Sequence, residues 1–363
     1  MVATTIRASN SIVKRLFLAL FILIAILIIA SYLLVLAMGY NFIFFTSEGF
    51  ALSMQFFRFP LLLFFSIGFY TPMVNVGGVF RVIWIFYIIC FVFACNWREP
   101  LHRVIRRSFS QPFRSVFDNF LLVMPLISSM MFAAVAGIFI FQESVGIPTG
   151  QPLFPENTPL QEIFLNLAFA PVTEELGFRL IPMGLITVLY VFIAGKNVAG
   201  NRLKFFVTAL CYPEGAKRMA GLRNIGENGI WHGISGGEWM TILGISLIFG
   251  YAHVISGIGW EVGKITSTFV TGVFLALTYT AYGFAAPVLL HWFLNYYLFF
   301  FDPNVALNFF PTIVSILSLT ELAILAIGIV GWIGCAIIGL RRLINLRRTS
   351  RNAQATLPSR YLP

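Results

Sequence analysis

Charged residues are scarce in this sequence. Only 10% of its 363 residues are Asp, Glu, Lys or Arg, whereas 59% are hydrophobic. A soluble domain carries roughly 25% charged residues. The mean hydropathy of +0.88 agrees with that comparison. The composition excludes an ordinary soluble domain and predicts an all-α polytopic bundle of transmembrane helices.

Cysteine is scarce as well. The four cysteines are Cys90, Cys95, Cys211 and Cys335, and no two of them form a CxxC pair. This spacing excludes a disulfide framework and a cysteine metal cage, so we interpret them as small hydrophobic residues of the interior.

Nucleic acid is excluded as a partner, although the formal net charge is +10. The sequence has no RNA-binding motif and no long basic tail, and its basic residues stand between apolar runs. Basic loops of this kind set the orientation of membrane helices and contact anionic lipids. The lipid bilayer is therefore the predicted partner of the positive charge.

Eight apolar runs are long enough to be spans. Phe50–Tyr70 is a ninth candidate, but Arg58 and Pro60 interrupt it, and eight spans place both termini and both basic loops in the cytoplasm. We therefore predict about eight spans, or nine if Phe50–Tyr70 crosses. The eight are residues 16–38, 79–97, 120–141, 160–194, 239–257, 265–282, 286–300 and 312–340.

Four regions follow from this pattern. Residues 1–158 form an N-terminal transmembrane region, and 159–300 form a core with a basic cytoplasmic insertion at 195–238 that includes an interfacial helix at 203–212. Residues 301–346 hold the last span, and 347–363 are a disordered tail. No internal repeat is visible.

The sequence from Ala170 to Arg179 places three formal charges inside an apolar run. A charge at membrane depth is costly, so such residues are functional by default. Glu175 and Arg179 are four residues apart and can pair on one helix face. Glu174 lies about 100° around the helix and has no partner on its own helix. A purely structural ion-pair network is the alternative.

Two later spans each carry a polar face. Phe249 and His253 are four residues apart in one span, and His291 and Asn295 are four apart in another. Each pair therefore lies on one side of its helix, where it can meet the glutamates inside the bundle. Helix packing through hydrogen-bonded His and Asn is the alternative.

The sequence predicts two irregularities in the spans. Pro171 predicts a break, with a shallow piece at 160–169 and a main helix that begins at Pro171. Straight helices would leave His291 nearer the inside than Glu174 and His253. A turn within the membrane at 282–287, which Gly283 and Pro287 permit, would bring the three to one depth.

The order EExxxR, FxxxH and HxxxN, each on its own span, resembles the CAAX protease and bacteriocin-processing (CPBP, or Abi) family of intramembrane proteases. Here the motifs read Glu174 to Arg179, Phe249 to His253 and His291 to Asn295. Gly259, Trp260, Glu261, Lys264 and Trp292 are also similar to archaeal and bacterial members. The resemblance covers residues 160–297, and the long basic insertion departs from it.

The resemblance implies an intramembrane endopeptidase. Glu174 would be the general base and His253 its partner in activating a water, while His291 and Asn295 would form the oxyanion hole. Glu175, Arg179 and Phe249 would support them. A metal-free mechanism with no cofactor is the favoured interpretation, because HExxH is missing and asparagine is a poor zinc ligand. Zinc held by Glu174, His253 and His291 is the alternative.

The implied substrate is a membrane protein or lipidated peptide, cut near its C-terminus, and the implied location is the plasma membrane of a prokaryote. The sequence identifies no prenyl group, cleavage motif or oligomeric state. Two other functions remain open. A non-catalytic immunity or scaffold protein could keep the polar bundle for packing, and a proton-coupled transporter could use the same carboxylates, although no repeat-related halves support it.

Overall fold

The computed structural model describes residues 2–96, 98–150, 158–195, 202–257 and 259–355. Helices dominate these residues, as the composition predicts. The helices are α1 (Val2–Phe44), α2 (Ser47–Ser53), α3 (Val76–Asn96), α4 (Leu101–Ser108), α5 (Phe120–Ser144), α6 (Leu160–Glu175), α7 (Pro182–Ala194), α8 (Arg202–Cys211), α9 (Pro213–Met219), α10 (Ile225–Gly233), α11 (Gly236–Ile255), α12 (Gly263–Tyr282), α13 (Ala285–Trp292), α14 (Pro303–Phe309) and α15 (Val314–Ala355).

Seven helical segments within the described ranges are long and apolar enough to cross a membrane. Their outward faces carry large exposed hydrophobic side chains such as Val82, Leu189 and Met240, as lipid contact requires. The all-α polytopic bundle predicted from the sequence is confirmed. The seven are Lys14–Phe44, Val76–Ser108, Phe120–Ser144, Leu160–Ala194, Gly236–Ile255, Gly263–Tyr282 and Pro311–Ile344.

The remaining predicted span, residues 286–300, is a shorter helix. Helix α13 passes into a π turn at Phe293–Tyr297, and helical backbone ends at residue 299. At 1.5 Å per residue this segment is about 22 Å long, less than the roughly 30 Å of a hydrocarbon core. It begins directly after a reversal at Gly283, whose φ is +86° and whose missing Cβ leaves room for the Cys211 carbonyl. The predicted turn between 282 and 287 is therefore present.

Pro171 does not break its helix, so that prediction was wrong. Helix α6 runs through Pro171 to Glu175, and the irregularity follows as a π turn at Leu176–Leu180. Its hydrogen bond runs from the Ile181 amide to the Leu176 carbonyl, five residues back. Pro182 explains the position, because it has no amide hydrogen and its ring displaces the preceding turn.

Phe50–Tyr70 is not a transmembrane helix. After α2, the chain forms β1 (Phe56–Phe57), β2 (Pro60–Phe64), β3 (Ile67–Tyr70) and β4 (Val74–Asn75). Strand β1 pairs with β4, and β2 pairs with β3, both antiparallel, with Leu61 opposite Phe69. The proline stands at the first position of β2, where a missing amide hydrogen is tolerated.

The β2–β3 hairpin lies against the end of α6. The Leu62 amide donates to Thr173 Oγ1 over 2.8 Å, and that hydroxyl donates to the Pro60 carbonyl over 3.1 Å. The Phe65 amide donates to the Gly177 carbonyl over 2.8 Å. A Cβ at Gly177 would come within 2.7 Å of the Leu62 side chain, so only glycine permits this approach.

Helices α8, α9 and α10 occupy the predicted basic insertion, and α8 corresponds to the predicted interfacial helix at 203–212. The side chains of Glu214 and Lys217 are fully buried there. The Lys217 ammonium donates to the Gly233 carbonyl over 2.6 Å and to both carboxylate oxygens of Glu238 over 2.8 and 3.0 Å. The Glu214 carboxylate accepts the amides of Ile225 and Gly226 over 2.9 and 2.6 Å.

Aromatic packing joins the N-terminal helices to α13. Trp292 is fully buried and contacts the rings of Tyr32, Tyr87 and Tyr296. The Tyr87 hydroxyl also donates to the Ala168 carbonyl of α6 over 2.7 Å. The N-terminal region thus holds the two helices that carry the charged motif and the HxxxN motif.

The C-terminal helix is longer than predicted. Helix α15 continues to Ala355, so residues 347–355 are helical and not the disordered tail that the sequence predicts; the remainder of that tail lies outside the described residues.

Candidate active site

Glu174 lies one residue before the end of α6, near the middle of the span Leu160–Ala194. Its side chain is 22% exposed, so part of it is open to the space outside the protein core. The Oε2 atom is enclosed but has no hydrogen-bond partner among the described residues. As the spacing predicts, Glu174 has no ion-pair partner on its own helix.

Glu175 and Arg179 form the ion pair that their spacing predicts. Arg179 Nη1 donates to Glu175 Oε1 over 2.9 Å, and both side chains are completely buried. The guanidinium also lies over the Phe249 ring, with its central carbon 4.2 Å from the ring centroid. Removing one partner of such a buried pair is typically worth 3–5 kcal/mol, because the other charge is left uncompensated.

His291 connects the two glutamates. Its Nδ1–H donates to Glu175 Oε1 over 2.8 Å, while Nε2 lies 3.8 Å from Glu174 Oε2. In a neutral imidazole that donates from Nδ1, the other nitrogen carries a lone pair. His291 therefore presents an acceptor to Glu174 when neutral, and a donor only when it is an imidazolium.

His253 has the same arrangement on α11. Its Nδ1–H donates to the Phe249 carbonyl over 2.9 Å, and its Nε2 lies 4.0 Å from Glu174 Oε2. The Phe249 ring stands edge-on to both imidazoles, with centroid distances of 4.7 Å to His253 and 6.0 Å to His291. Phe249 thus spaces the two histidines and covers Arg179.

The distances between Glu174 and the two imidazoles suit a water better than a metal. One water at about 2.8 Å from both Glu174 Oε2 and a histidine Nε2 fits a separation of this size. Ligands of a tetrahedral zinc with bonds of 2.0–2.1 Å lie only about 3.3 Å apart. In the described part of the chain, no group of three or more His, Cys, Asp or Glu residues has the spacing of a metal site.

Two histidines and a glutamate, the residue types of the alternative zinc site, are nevertheless common zinc ligands. In both histidines the Nδ1–H donates to an oxygen atom, which is the usual arrangement of histidines that bind a metal. Glu174, His253 and His291 would be the ligands. Because the observed separations are too long for that coordination, we derive no step through a metal.

Asn295 is the predicted site residue whose side chain forms no hydrogen bond with Glu174, His253 or His291. It lies half-buried on the π turn after α13, and no hydrogen bond links its side chain to another described residue. The wider π turn rotates it relative to His291, so the simple one-face argument for residues four apart does not hold there.

Thr173 is a residue that sequence reasoning missed. It stands beside Glu174 and holds the hairpin through both of its hydroxyl hydrogen bonds. The sequence around Thr173 does not indicate this role, because its hydrogen-bond partner Leu62 is 111 residues away. Lys264, identified from the sequence only as a point of resemblance, lies close enough to Glu174 for their charges to interact.

The fold and these side chains define an integral membrane protein with a cluster of acidic and imidazole groups inside its helical bundle. Residues 156–297 match the family described as type II CAAX prenyl endopeptidase, Rce1-like. The resemblance to the CAAX protease family is therefore confirmed over that region. The match supports a CAAX-type intramembrane endopeptidase. Neither the curated proteins nor the solved structures gave a significant match.

Proposed function

We propose that this protein hydrolyses a peptide bond in membrane-associated substrates, with Glu174 as the general base. The observation that carries the proposal is the convergence of two imidazole nitrogens on one carboxylate oxygen, at 3.8 and 4.0 Å. That oxygen has no other partner among the described residues. A polar group left unpaired inside a protein costs free energy, so its retention favours a catalytic role.

The hydrolytic water would bind between Glu174 and His253. It would donate one hydrogen to Glu174 Oε2 and the other to His253 Nε2, because the Nδ1–H of His253 is fixed on the Phe249 carbonyl. Glu174 would take the proton as the water attacks the peptide carbonyl, and would then return it to the leaving amine. General-base catalysis of this kind typically contributes 10²–10⁴-fold to the rate.

His291 would stabilise the oxyanion as an imidazolium. Its Nδ1–H is held by Glu175, so only the charged form also has an Nε2–H to donate. Arg179 holds the Glu175 carboxylate in place in turn. Asn295 would supply the second donor, after a rotation of its side chain toward the substrate carbonyl.

The substrate class follows from the family and the setting. We propose a membrane protein or lipidated, CAAX-type peptide whose scissile bond reaches the middle of the spans. We propose both termini in the cytoplasm, which requires the α13 segment to cross the bilayer in addition to the seven long helices. The plasma membrane of a prokaryote is the proposed location.

Purified protein and a farnesylated peptide that ends in a CAAX sequence would test the proposal. We expect Glu174→Gln and His253→Ala to abolish cleavage, measured by mass spectrometry of the shortened peptide. Glu162→Gln is the matched control, because it removes a carboxylate from the same helix, α6, three turns earlier. Cleavage that survives in both site variants would rule out the assigned chemistry.

Metal analysis of the same purified protein separates the glutamate mechanism from the zinc alternative. We expect less than one equivalent of zinc and no loss of cleavage after chelation. Stoichiometric zinc that Glu174→Gln, His253→Ala and His291→Ala each release would instead assign these three residues as zinc ligands.

A further inference from the structure

Strand β3 is an edge strand without the usual protection against pairing. All of its residues are exposed, and in the described part of the chain only β2 pairs with it. It contains no charged residue and no proline, and the β-bulge of the hairpin lies on β2. Edges that must stay unpaired usually carry lysine, proline or a bulge. Strand β3 is therefore free to accept another strand.

The hairpin geometry identifies the backbone groups at this edge. Residues along an antiparallel strand alternate between those bonded to the neighbouring strand and those that point away from it. Leu62 and Pro60 of β2 point away, because the Leu62 amide and the Pro60 carbonyl bind the Thr173 hydroxyl. The residues opposite them on β3, Gly68 and Tyr70, therefore direct their amides and carbonyls to the free edge. No hydrogen bond joins these groups to a described residue outside the sheet.

The free edge lies level with the proposed base. Leu62 binds Thr173, the residue before Glu174, and Gly68 lies directly opposite Leu62. Neighbouring strands are about 4.8 Å apart, so a strand added to β3 would lie roughly 10 Å from β2. An extended chain covers that distance in about three residues. A peptide bound at the edge would thus reach Glu174 with a bond a few residues further along its chain.

The substrate of a protease inside a membrane has a matching need. Hydrolysis requires an extended segment, because the carbonyls of a helical peptide are bonded within its own helix. An unwound segment leaves its amides and carbonyls without partners, which is costly in hydrocarbon. The outward groups of Gly68 and Tyr70 offer both donors and acceptors at the same depth. The hydrogen-bonding needs of the edge and of the peptide therefore complement each other.

We propose that the free edge of β3 binds an extended segment of the substrate as an added β-strand, a few residues from the bond that is cut. The inference rests on the proposed hydrolysis at Glu174. In strand addition the main-chain hydrogen bonds supply affinity for a peptide. The hairpin precedes residues 156–297, which match the family, so the N-terminal region of this chain would contribute the substrate-binding strand.

Tyr70→Pro, introduced into the Glu174→Gln protein, tests the edge directly. Proline removes the amide hydrogen that points outward, and for that reason it is tolerated on an edge strand. We expect an unchanged melting temperature in detergent. The Kd for a fluorescent farnesylated CAAX peptide should rise about 3- to 10-fold, the effect of one lost hydrogen bond. Tyr70→Ala is the control, because it loses the same side chain and keeps the amide, and it should bind like the parent protein.

A scan of the peptide backbone gives the answer even if Tyr70→Pro fails to fold. Each amide of the peptide is N-methylated in turn, which removes one donor, and binding to the Glu174→Gln protein is measured. An added strand bonds to the edge through alternate residues only. We expect the loss of affinity to alternate along the bound segment. Equal losses at successive positions, or no loss at any position, would overturn the proposal.

Two results with the folded Tyr70→Pro protein would also overturn the proposal. One is a peptide affinity equal to that of Tyr70→Ala. The other is a change from dimer to monomer with unchanged peptide affinity, which would assign the edge to a second copy of the chain. Binding to the Glu174→Gln protein does not depend on cleavage. Alternating losses without any turnover by the native protein would therefore refute the hydrolysis alone, whereas turnover that needs Glu174 but shows no alternation would refute the added strand alone.

Discussion

Two buried ionic clusters in this chain differ in how completely their polar atoms are paired. In the insertion, the Lys217 ammonium donates to three oxygens, and each oxygen of the Glu214 carboxylate accepts a backbone amide. At the candidate active site, Glu174 Oε2, Glu175 Oε2 and two nitrogens of Arg179 are enclosed without a partner among the described residues.

The difference is the one expected between a structural cluster and a cluster reserved for chemistry. A buried polar group without a partner costs about 1–3 kcal/mol, so a cluster that served only stability would be expected to pair its atoms, as the insertion does. The unpaired atoms of the site belong to Glu174, Glu175 and Arg179, and in the proposed mechanism a water would complete Glu174 Oε2. Three Glu→Gln substitutions, which keep shape and remove charge, test this distinction.

Glu174→Gln should have the largest effect, and on activity alone. The base is lost, so we expect cleavage of the farnesylated CAAX peptide to fall by about 10²–10⁴-fold. Because the carboxylate has no ion-pair partner on its own helix, the melting temperature in detergent should change little. A variant that unfolds would mean that Glu174 is structural, and the two clusters would then not differ in kind.

Glu175→Gln should lower both activity and stability. Arg179 would be left buried without its counter-charge, and the His291 Nδ1–H would lose its carboxylate acceptor. We expect a loss of about 3–5 kcal/mol in the free energy of unfolding, together with a reduced kcat. Thermal denaturation and initial rates on the same preparation measure the two effects. An unaltered melting temperature would show that the ion pair contributes nothing to the fold.

Glu214→Gln should lower stability alone. An amide nitrogen would replace one oxygen that accepts the Ile225 or Gly226 amide, which places two donors together. We expect a loss of about 1–3 kcal/mol. The kcat of the folded fraction should equal that of the native protein, since the cluster lies in the insertion. A reduced kcat at full folding would contradict the structural role.

Thr173→Val should have the smallest effect. It keeps the shape of the side chain and removes both hydrogen bonds to the hairpin, leaving the Leu62 amide unpaired. We expect a loss of about 1 kcal/mol in stability and a modest fall in kcat, because Glu174 is the next residue. Thr187→Val on α7 is the control: its hydroxyl only donates to the Met183 carbonyl of its own helix.

The sequence allowed the bundle, the long spans, the Glu175–Arg179 pair and the reversal at Gly283 to be predicted, because each depends on composition or on local spacing. The hairpin could not be predicted in this way. Residues 60–70 are as apolar as a span, and only their contacts with Thr173 and Gly177 distinguish them. The π turns and the link from Glu175 to His291 likewise depend on neighbours that are distant in sequence.

The hairpin has a consequence for the supply of water. Strand β3 is exposed along its whole length and has β2 as its one neighbour in the described sheets, although the hairpin contacts the middle of the span Leu160–Ala194. Backbone amides and carbonyls facing lipid at that depth would each cost several kcal/mol. The free edge of β3 is therefore expected to face a wet cleft, and a hydrolase that consumes one water per bond would be replenished from that side.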